Sequence, residues 1–365
     1  MKLYVYVIRR LILLIPVIIG VTVITFTLSH ADIGLLIAGY EGKTRSLAAR
    51  MIVIHELHLN GPVYVQYAYY LTNLFTGNWG YLSPTEPVDA GTPVFTEFLR
   101  RFPPTAELSV IAALMVVVMG LPLGVLSGVK KDRAVDHSTR LAAMVGVSIP
   151  TFWIGLLILI LIGPNGPFPH WLRVTTEGQI NFLKYGFTSS GALEPWVAST
   201  GTSGISRPTG FMLIDTLLYG DFPAFLDALK HVFWPALVVA LTSFGVITRF
   251  MRSSILESLG QDYVRTARSK GVPEKFVIKK HARRNALGAT TTIMGLFFAG
   301  LLSGVTVTEY VFGWPGMGQW LFTAAARADL VSVMATTFVF TIVIVVANLI
   351  VDIIYSYLDP RVRLD

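Results

Sequence analysis

Residues 251–286 read MRSSILESLGQDYVRTARSKGVPEKFVIKKHARRNA, a hydrophilic stretch set between long apolar runs. Ten of the 29 Lys and Arg fall between Arg249 and Arg284. The stretch predicts two short helices with a stop between them. From Ser253 to Lys270 good helix formers dominate, and Ile255, Leu256, Leu259, Tyr263 and Ala267 recur at three- and four-residue spacing, which gathers apolar side chains on one face. Gly271 stands where a left-handed C-terminal cap is wanted, and Pro273 where a new helix can begin. Glu274 suits the positive end of that helix's dipole. The second helix is expected from Glu274 to about Arg284, ending in a cationic turn. A helix, a glycine elbow and a second helix make a rigid shape able to sit in a groove of another protein.

The flanking runs set the class of protein. The chain has 365 residues, 53% hydrophobic and only 14% charged, with a mean hydropathy of +0.62. Soluble domains carry about 25% charged residues, so this chain is built for lipid; its long apolar runs, read as spanning helices, make it an all-α integral membrane protein. A net charge of +7 would by itself suit nucleic acid, but the cations lie beside apolar runs rather than on a soluble face. A DNA-reading helix pair is disfavoured because both ends of the basic stretch are tied to the bilayer, and no nucleic-acid partner is expected. With no cysteine there is no disulfide framework, thiolate metal site or cysteine nucleophile.

Six spans are expected. Arg9-Arg10 precede the first, Leu11 to Leu28, which is long for a signal-peptide core and ends in Thr27-Leu28-Ser29-His30, a poor cleavage site. Residues 1–30 are therefore read as an N-terminal segment with a retained span. Residues 31–104 form a long external region with some helix around Ser46 to Leu59. The second span runs from Ala106 to Val129. Its Gly120, Gly124 and Gly128 fall four apart and permit close helix approach, and Pro122 is expected to kink it.

Lys130-Lys131-Asp132-Arg133 make a cytoplasmic turn, and Leu141 to Ile162, with Pro150 inside, is the third span; spans two and three occupy residues 105–163. A second external region covers 164–231 and carries an amphipathic piece from Phe222 to Lys230. Residues 232–358 hold spans four to six, Phe233 to Phe250, Leu287 to Val311 and Val331 to Tyr357, with the 251–286 loop between the first two of these. Residues 359–365 are a cytoplasmic C-terminus. Under this assignment 19 of the 29 cations lie inside, and the other ten are spread over longer external segments, the bias expected when both termini are cytoplasmic. Arg100-Arg101 break the pattern at an outer end, with Glu97 and Glu107 near enough in sequence to offset them.

Catalytic motifs are missing. The chain holds no G-x-x-x-x-G-K-[ST] phosphate cradle and no G-x-S-x-G elbow. His55-Glu56-Leu57-His58 lacks the spacing of a zinc helix and reads as a surface helix. Within or near the spans, Glu107, Glu309, Asn348 and Asp352 are expected to be end caps or interhelical hydrogen-bonders rather than relays. The frequent threonines are expected mostly to bond back to their own helices, some lining a hydrated path. No catalytic, cofactor-binding or metal-binding residue is assigned, and the chain is expected not to be an enzyme.

Tyr263-Val264-Arg265-Thr266-Ala267-Arg268-Ser269-Lys270-Gly271, followed by His281-Ala282-Arg283-Arg284-Asn285-Ala286, resembles the EAA loop of ABC importer permeases of the dipeptide/oligopeptide/nickel branch. Arg265-Thr266 stand where that branch replaces the first Glu-Ala, and Ala267 and Gly271 hold the other two signature places. Further stretches carry the resemblance over nearly the whole chain: Thr92-Pro93-Val94-Phe95, Arg101-Phe102-Pro103, Gly210 to Thr216, Glu309 to Phe312 with Trp314-Pro315-Gly316-Met317-Gly318, and Asp352 with Leu358-Asp359-Pro360-Arg361. Together they are similar to the first of the two permeases such systems use. Departures are His30-Ala31-Asp32-Ile33-Gly34 in place of Pro-Gly-Asp-Pro, Ala289 in place of a proline, and Arg283 in place of an apolar residue.

The resemblance implies the type I ABC importer permease fold, with six transmembrane helices and two long external loop regions, in the cell membrane. It implies a second homologous permease, two cytoplasmic ATPase subunits that carry ATP and Mg, and an extracytoplasmic binding protein that delivers peptides. The docking residues it implies are Tyr263, Arg265, Thr266, Ala267, Arg268, Gly271 and Pro273. Arg265 and Arg268 would meet acidic groups of the ATPase groove, Tyr263 and Ala267 would pack there, and Gly271 would hold the elbow. Nickel or oligosaccharide cargo stays open, as does an ion-gradient-driven secondary transporter.

Overall fold

The computed structural model describes residues 3–30, 32–40, 46–82, 92–163, 166–169, 196–197, 203–205, 209–220, 222–327 and 329–358. Its elements are α1 (Leu3–His30), α2 (Ile33–Tyr40), α3 (Leu47–Glu56), α4 (Val63–Thr76), α5 (Val94–Val129), α6 (Ala134–Ser148), α7 (Thr151–Ile162), α8 (Met212–Tyr219) and α9 (Phe222–Gly260). There follow α10 (Asp262–Ser269), α11 (Glu274–Phe276) with a π-helical turn at Val277–Ala282, α12 (Arg283–Gly304), α13 (Thr306–Phe312), α14 (Met317–Ala326) and α15 (Leu330–Leu358). The fold is helical, as expected. The exception is one short antiparallel pair, β1 (Trp196–Val197) with β2 (Ser203–Ile205).

Among the described residues, three helices are long and apolar enough to cross a membrane: α5, α9 and the 330–349 part of α15. The third expected span is not one helix. It is α6 and α7, bent by 100° at Ile149-Pro150. Pro150 has no N–H to continue the ladder and forces Ile149 into extended backbone, φ −87° and ψ 131°, where α6 ends and α7 begins. Elsewhere the helices outrun their expected limits. α5 starts in the external region at Val94 and continues through Pro103, Pro104 and Pro122. The amphipathic piece from Phe222 to Lys230 is the first part of α9, which runs unbroken to Gly260.

The α5–α9 pair is the axis of the molecule. Gly120, Gly124 and Gly128 of α5 face Ile247, Met251 and Ile255 of α9, and a Cβ added at Gly124 would sit 2.6 Å from Met251 Cβ and 2.8 Å from the Thr248 carbonyl. The four-residue glycine stripe thus lets two backbones meet, as its spacing predicts. α6 closes on the same helix, its Ala143 carbonyl within 2.5 Å of where a Cβ on Gly245 would stand.

Polar residues around the first half of α5 and the Trp314–Gly318 turn are caps and ties. Glu107 accepts from the Met212 and Leu213 N–H groups at the start of α8, at 3.0 and 2.7 Å. Glu309 accepts from the Gly318 and Gln319 N–H groups at the start of α14, at 2.6 and 3.2 Å. A Cβ on Gly316 would overlap the Glu309 carboxylate. Trp314 donates its indole N–H to the Pro104 carbonyl at 2.9 Å, tying the Trp314–Gly318 turn to α5. Buried Glu97 pairs with both Arg100 (3.2 Å) and Arg101 (2.5 Å), as expected, whereas Glu107 is engaged at the start of α8. Thr242, Thr290 and Thr291 bond back to carbonyls of their own helices, as expected, whereas Thr248 donates to the Gly120 carbonyl of α5. The side chain of Asp352 lies outside the described residues. His55 near the end of α3 and His58 just beyond it have rings 6.0 Å apart, and among the described residues they belong to no group of three metal-ligand side chains.

Candidate functional site

The stretch from Met251 to Ala286 folds as a helix extension, a short helix, an elbow and a second helix. α9 carries the chain beyond the apolar zone and stops at Gly260, where Gln261 turns to extended backbone, φ −75° and ψ 152°. α10 then starts afresh, with Asp262 in its first turn where a carboxylate favours the dipole. The expected single helix from Ser253 to Lys270 is therefore two helices. The break resets the phase: Val264, not Tyr263, joins Ala267 on the inner face. Val264 is 0% exposed and Tyr263 39%. Gly260 was the signal for the break, and the unbroken periodicity read through it.

The elbow has the form its residues predict. Gly271 has φ +73°, a left-handed conformation that costs an L-residue about 1–2 kcal/mol. Its N–H donates to the Arg268 carbonyl at 2.9 Å, and the Val272 N–H to the Ala267 carbonyl at 3.2 Å. This pair of bonds closes the helix end in a Schellman cap, with Val272 packing back toward Ala267. Nothing lies within 4 Å of a Cβ placed on Gly271, so the glycine is needed for its backbone angle and not for space. Pro273 caps the next helix, its carbonyl accepting from the Phe276 N–H at 2.8 Å.

Beneath the elbow, Val264, Ala267 and Val277 form a small buried cluster, with Leu259 and Val272 at its edge. Ala267 thus packs within its own chain, where Val277 fills the space expected for a partner. The second helix does not end at Arg284. With no Gly or Pro between Glu274 and Leu287, the chain passes through the π-turn directly into α12. A displacement of α10 is consequently linked to α9 through Gly260-Gln261 and to α12 through the buried Val277 contact.

Tyr263, Arg265, Thr266 and Arg268 face outward. Arg265 pairs with Asp262 at 3.3 Å, both strongly exposed. Arg268 spans the elbow to Glu274 through two bonds of 3.0 and 2.6 Å. Its guanidinium holds the Glu274 carboxyl below the usual carboxylate range. Both pairs are surface pairs, whose contribution to stability is small, so their cations can exchange partners readily. Lys279, Lys280, Arg283 and Arg284 border an open groove with Phe276 and Leu287.

Arg252 is set apart from these cations. It grips the fully buried Asp136 through Nε at 2.7 Å and Nη2 at 2.8 Å. The same carboxylate accepts from Ser127 Oγ (2.5 Å) and the Asp132 N–H (3.0 Å). The Arg252 hydrogen bonds, with those of Ser127 and Asp132, hold the Asp136 carboxyl well below the usual range. One carboxylate therefore joins α5, the Lys130–Arg133 turn, α6 and α9 directly beneath the glycine stripe. Neither Asp136 nor the inward role of Arg252 is legible in the loop's own sequence, because the two residues lie 116 positions apart.

Residues 120–364 match the family model described as "Binding-protein-dependent transport system inner membrane component". The chain is 36% identical over 361 residues to the dipeptide transport system permease protein DppB of Escherichia coli (strain K12), an alignment covering 98% of each chain. It is 37% identical to the di/tripeptide transport system permease protein DppB of Pseudomonas aeruginosa (strain UCBPP-PA14), again covering 98% of each. To the oligopeptide transport system permease protein AppB of Bacillus subtilis (strain 168) it is 32% identical, over 98% of this chain and 99% of that one.

Proposed function

The chain belongs to the family of inner membrane components of binding-protein-dependent transport systems, and from that membership we propose that it is the permease subunit of an ATP-driven importer of di- and oligopeptides. It is a multi-pass membrane protein. In this reading it forms half of a translocation pathway with a second permease, takes peptide from an extracytoplasmic binding protein, and meets two cytoplasmic ATPase subunits. ATP and Mg are held by those subunits. Peptide is taken as the cargo because the relatives at full-length similarity are named for dipeptide, di/tripeptide and oligopeptide systems.

The observation that carries the coupling role is α10. It is an eight-residue helix whose inner face is locked to Val277 and whose outer face presents Tyr263, Arg265, Thr266 and Arg268. The helix seats in a groove of the ATPase, with Arg265 and Arg268 exchanging Asp262 and Glu274 for acidic groups there. Closure of the ATPase pair on ATP carries α10 as a rigid body, and the linked α9 and α12 rock the spans between inward-open and outward-open states. The spans are α1, α5, the bent α6–α7 pair, α9, α12 with α13, and α15, with both termini cytoplasmic. The external regions 31–104 and 164–231 contact the binding protein.

The test is Gly271→Asp in the assembled importer. Uptake of a labelled dipeptide and stimulation of ATP hydrolysis should both be abolished while expression and membrane insertion persist. Uptake that survives this change, or that collapses with an ionophore while ATP is held constant, contradicts the reading.

A further inference from the structure

Beside the Asp136–Arg252 pair, a cavity of about 270 Å³ opens between α6 and α9. Its lining includes Arg140 on α6 and Arg249 and Arg252 on α9, with Ala143, Met144 and the hydroxyls of Ser127 and Thr248. No carboxylate is among the lining residues. Arg252 is committed to Asp136, whereas Arg140 and Arg249 have no acidic partner among the described residues. Ser127 and Thr248 already donate, to Asp136 and to the Gly120 carbonyl. The charge in the cavity is thus cationic and uncompensated, and its complement is an anion.

The same cleft borders an apolar strip. Leu141, Met144 and Val145 follow Arg140 along α6 and are 62%, 58% and 46% exposed, while Phe250 on α9 is 42% exposed beside Arg249. Arg140 precedes the apolar part of α6 and Arg249 ends the apolar part of α9, so both guanidinium groups sit at the boundary between apolar span and polar loop. A free anion would use the cations and leave the strip uncovered. A molecule with an anionic head and long hydrocarbon tails uses both. Basic pockets between helices at this level of a membrane are suited to acidic headgroups, and the planar guanidinium matches a phosphodiester better than a lysine would.

We propose that the cleft between α6 and α9 binds an anionic phospholipid, its phosphate held by Arg140 and Arg249 and its acyl chains laid along Leu141, Met144 and Val145. Because the head then lies against the end of the Asp136–Arg252 pair, the lipid braces the joint of α5, α6 and α9 from the membrane side. This site is independent of the cargo and of α10.

The test is native mass spectrometry of the purified importer complex, exchanged into equal amounts of phosphatidylglycerol and phosphatidylcholine of the same chain length. Wild type should retain the anionic lipid preferentially, and Arg140→Gln/Arg249→Gln should lower that preference at least about tenfold. Arg140→Lys/Arg249→Lys, which keeps the charge, should retain most of it and serves as the folding control. Millimolar inorganic phosphate should not displace the lipid. The proposal is overturned by equal retention of the two lipids in wild type, by a Gln variant that keeps its preference, or by displacement with phosphate alone. A cross-link showing the second permease seated on Met144 would overturn it as well.

Discussion

Gly271 holds its place through a backbone angle, and the consequences can be separated from those of charge. At φ +73° with open space around it, asparagine is the mildest replacement and alanine carries a strain of about 1–2 kcal/mol. Uptake should therefore fall in the order wild type, Gly271→Asn, Gly271→Ala. Gly271→Asp should fall below all of these if Arg265 and Arg268 meet an acidic groove, as proposed, because a carboxylate is then placed beside the docking cations. Equal losses for Asn and Asp would show that the elbow matters only as backbone. Gly271 and Pro273 were legible in the sequence because caps and helix starts are local. The inward side of α10 was not: a phase carried across Gly260 assigned Tyr263 to the apolar face, and it is Val264 that is buried. Ala267, expected against a partner, packs on Val277 of its own chain, a contact that only the folded elbow brings about.

At the scale of elements, the glycine stripe and the Asp136–Arg252 pair make different predictions. Gly124→Ala forces its Cβ against Met251 and the Thr248 carbonyl. Overpacking of this kind costs about 1–3 kcal/mol, and should lower the unfolding midpoint of the detergent-solubilised protein. Gly20→Ala, with nothing within 4 Å, should leave the midpoint unchanged. Asp136→Asn leaves Arg252 without its charge partner and should destabilise by about 3 kcal/mol. The Asp136 carboxyl is held below its ordinary value of about 3.9. Its contribution is therefore complete above that value and disappears only as the pH falls through the depressed one. The difference in midpoint between wild type and Asp136→Asn should stay constant from about pH 8 to pH 5 and shrink only in strong acid. Small-residue spacing announced the α5–α9 contact in the sequence. The Asp136–Arg252 pair, and the bend at Pro150 in place of a continuous span, depend on partners and backbone freedom that periodicity does not encode.

For the whole molecule, apolar runs announced the membrane-length helices α5, α9 and the 330–349 part of α15, because burial in lipid imposes a length rule that acts on sequence directly. What they did not carry is how far helices persist beyond the apolar zone: α5 and α9 both extend past it, α9 to deliver the chain to α10. The proposed seating of α10 on an ATPase subunit is directly measurable, because the chain contains no cysteine. Thr266→Cys puts one thiol on the outward face of α10, and Tyr64→Cys puts one on α4, where Tyr64 is 75% exposed. In membranes carrying the complete importer, a short thiol-to-amine cross-linker should join Thr266→Cys to the ATPase subunit. An impermeant thiol reagent added outside should label only Tyr64→Cys. Failure of Thr266→Cys to join the ATPase in an importer that still transports peptide, or its labelling from outside, would show that α10 is not seated on the ATPase.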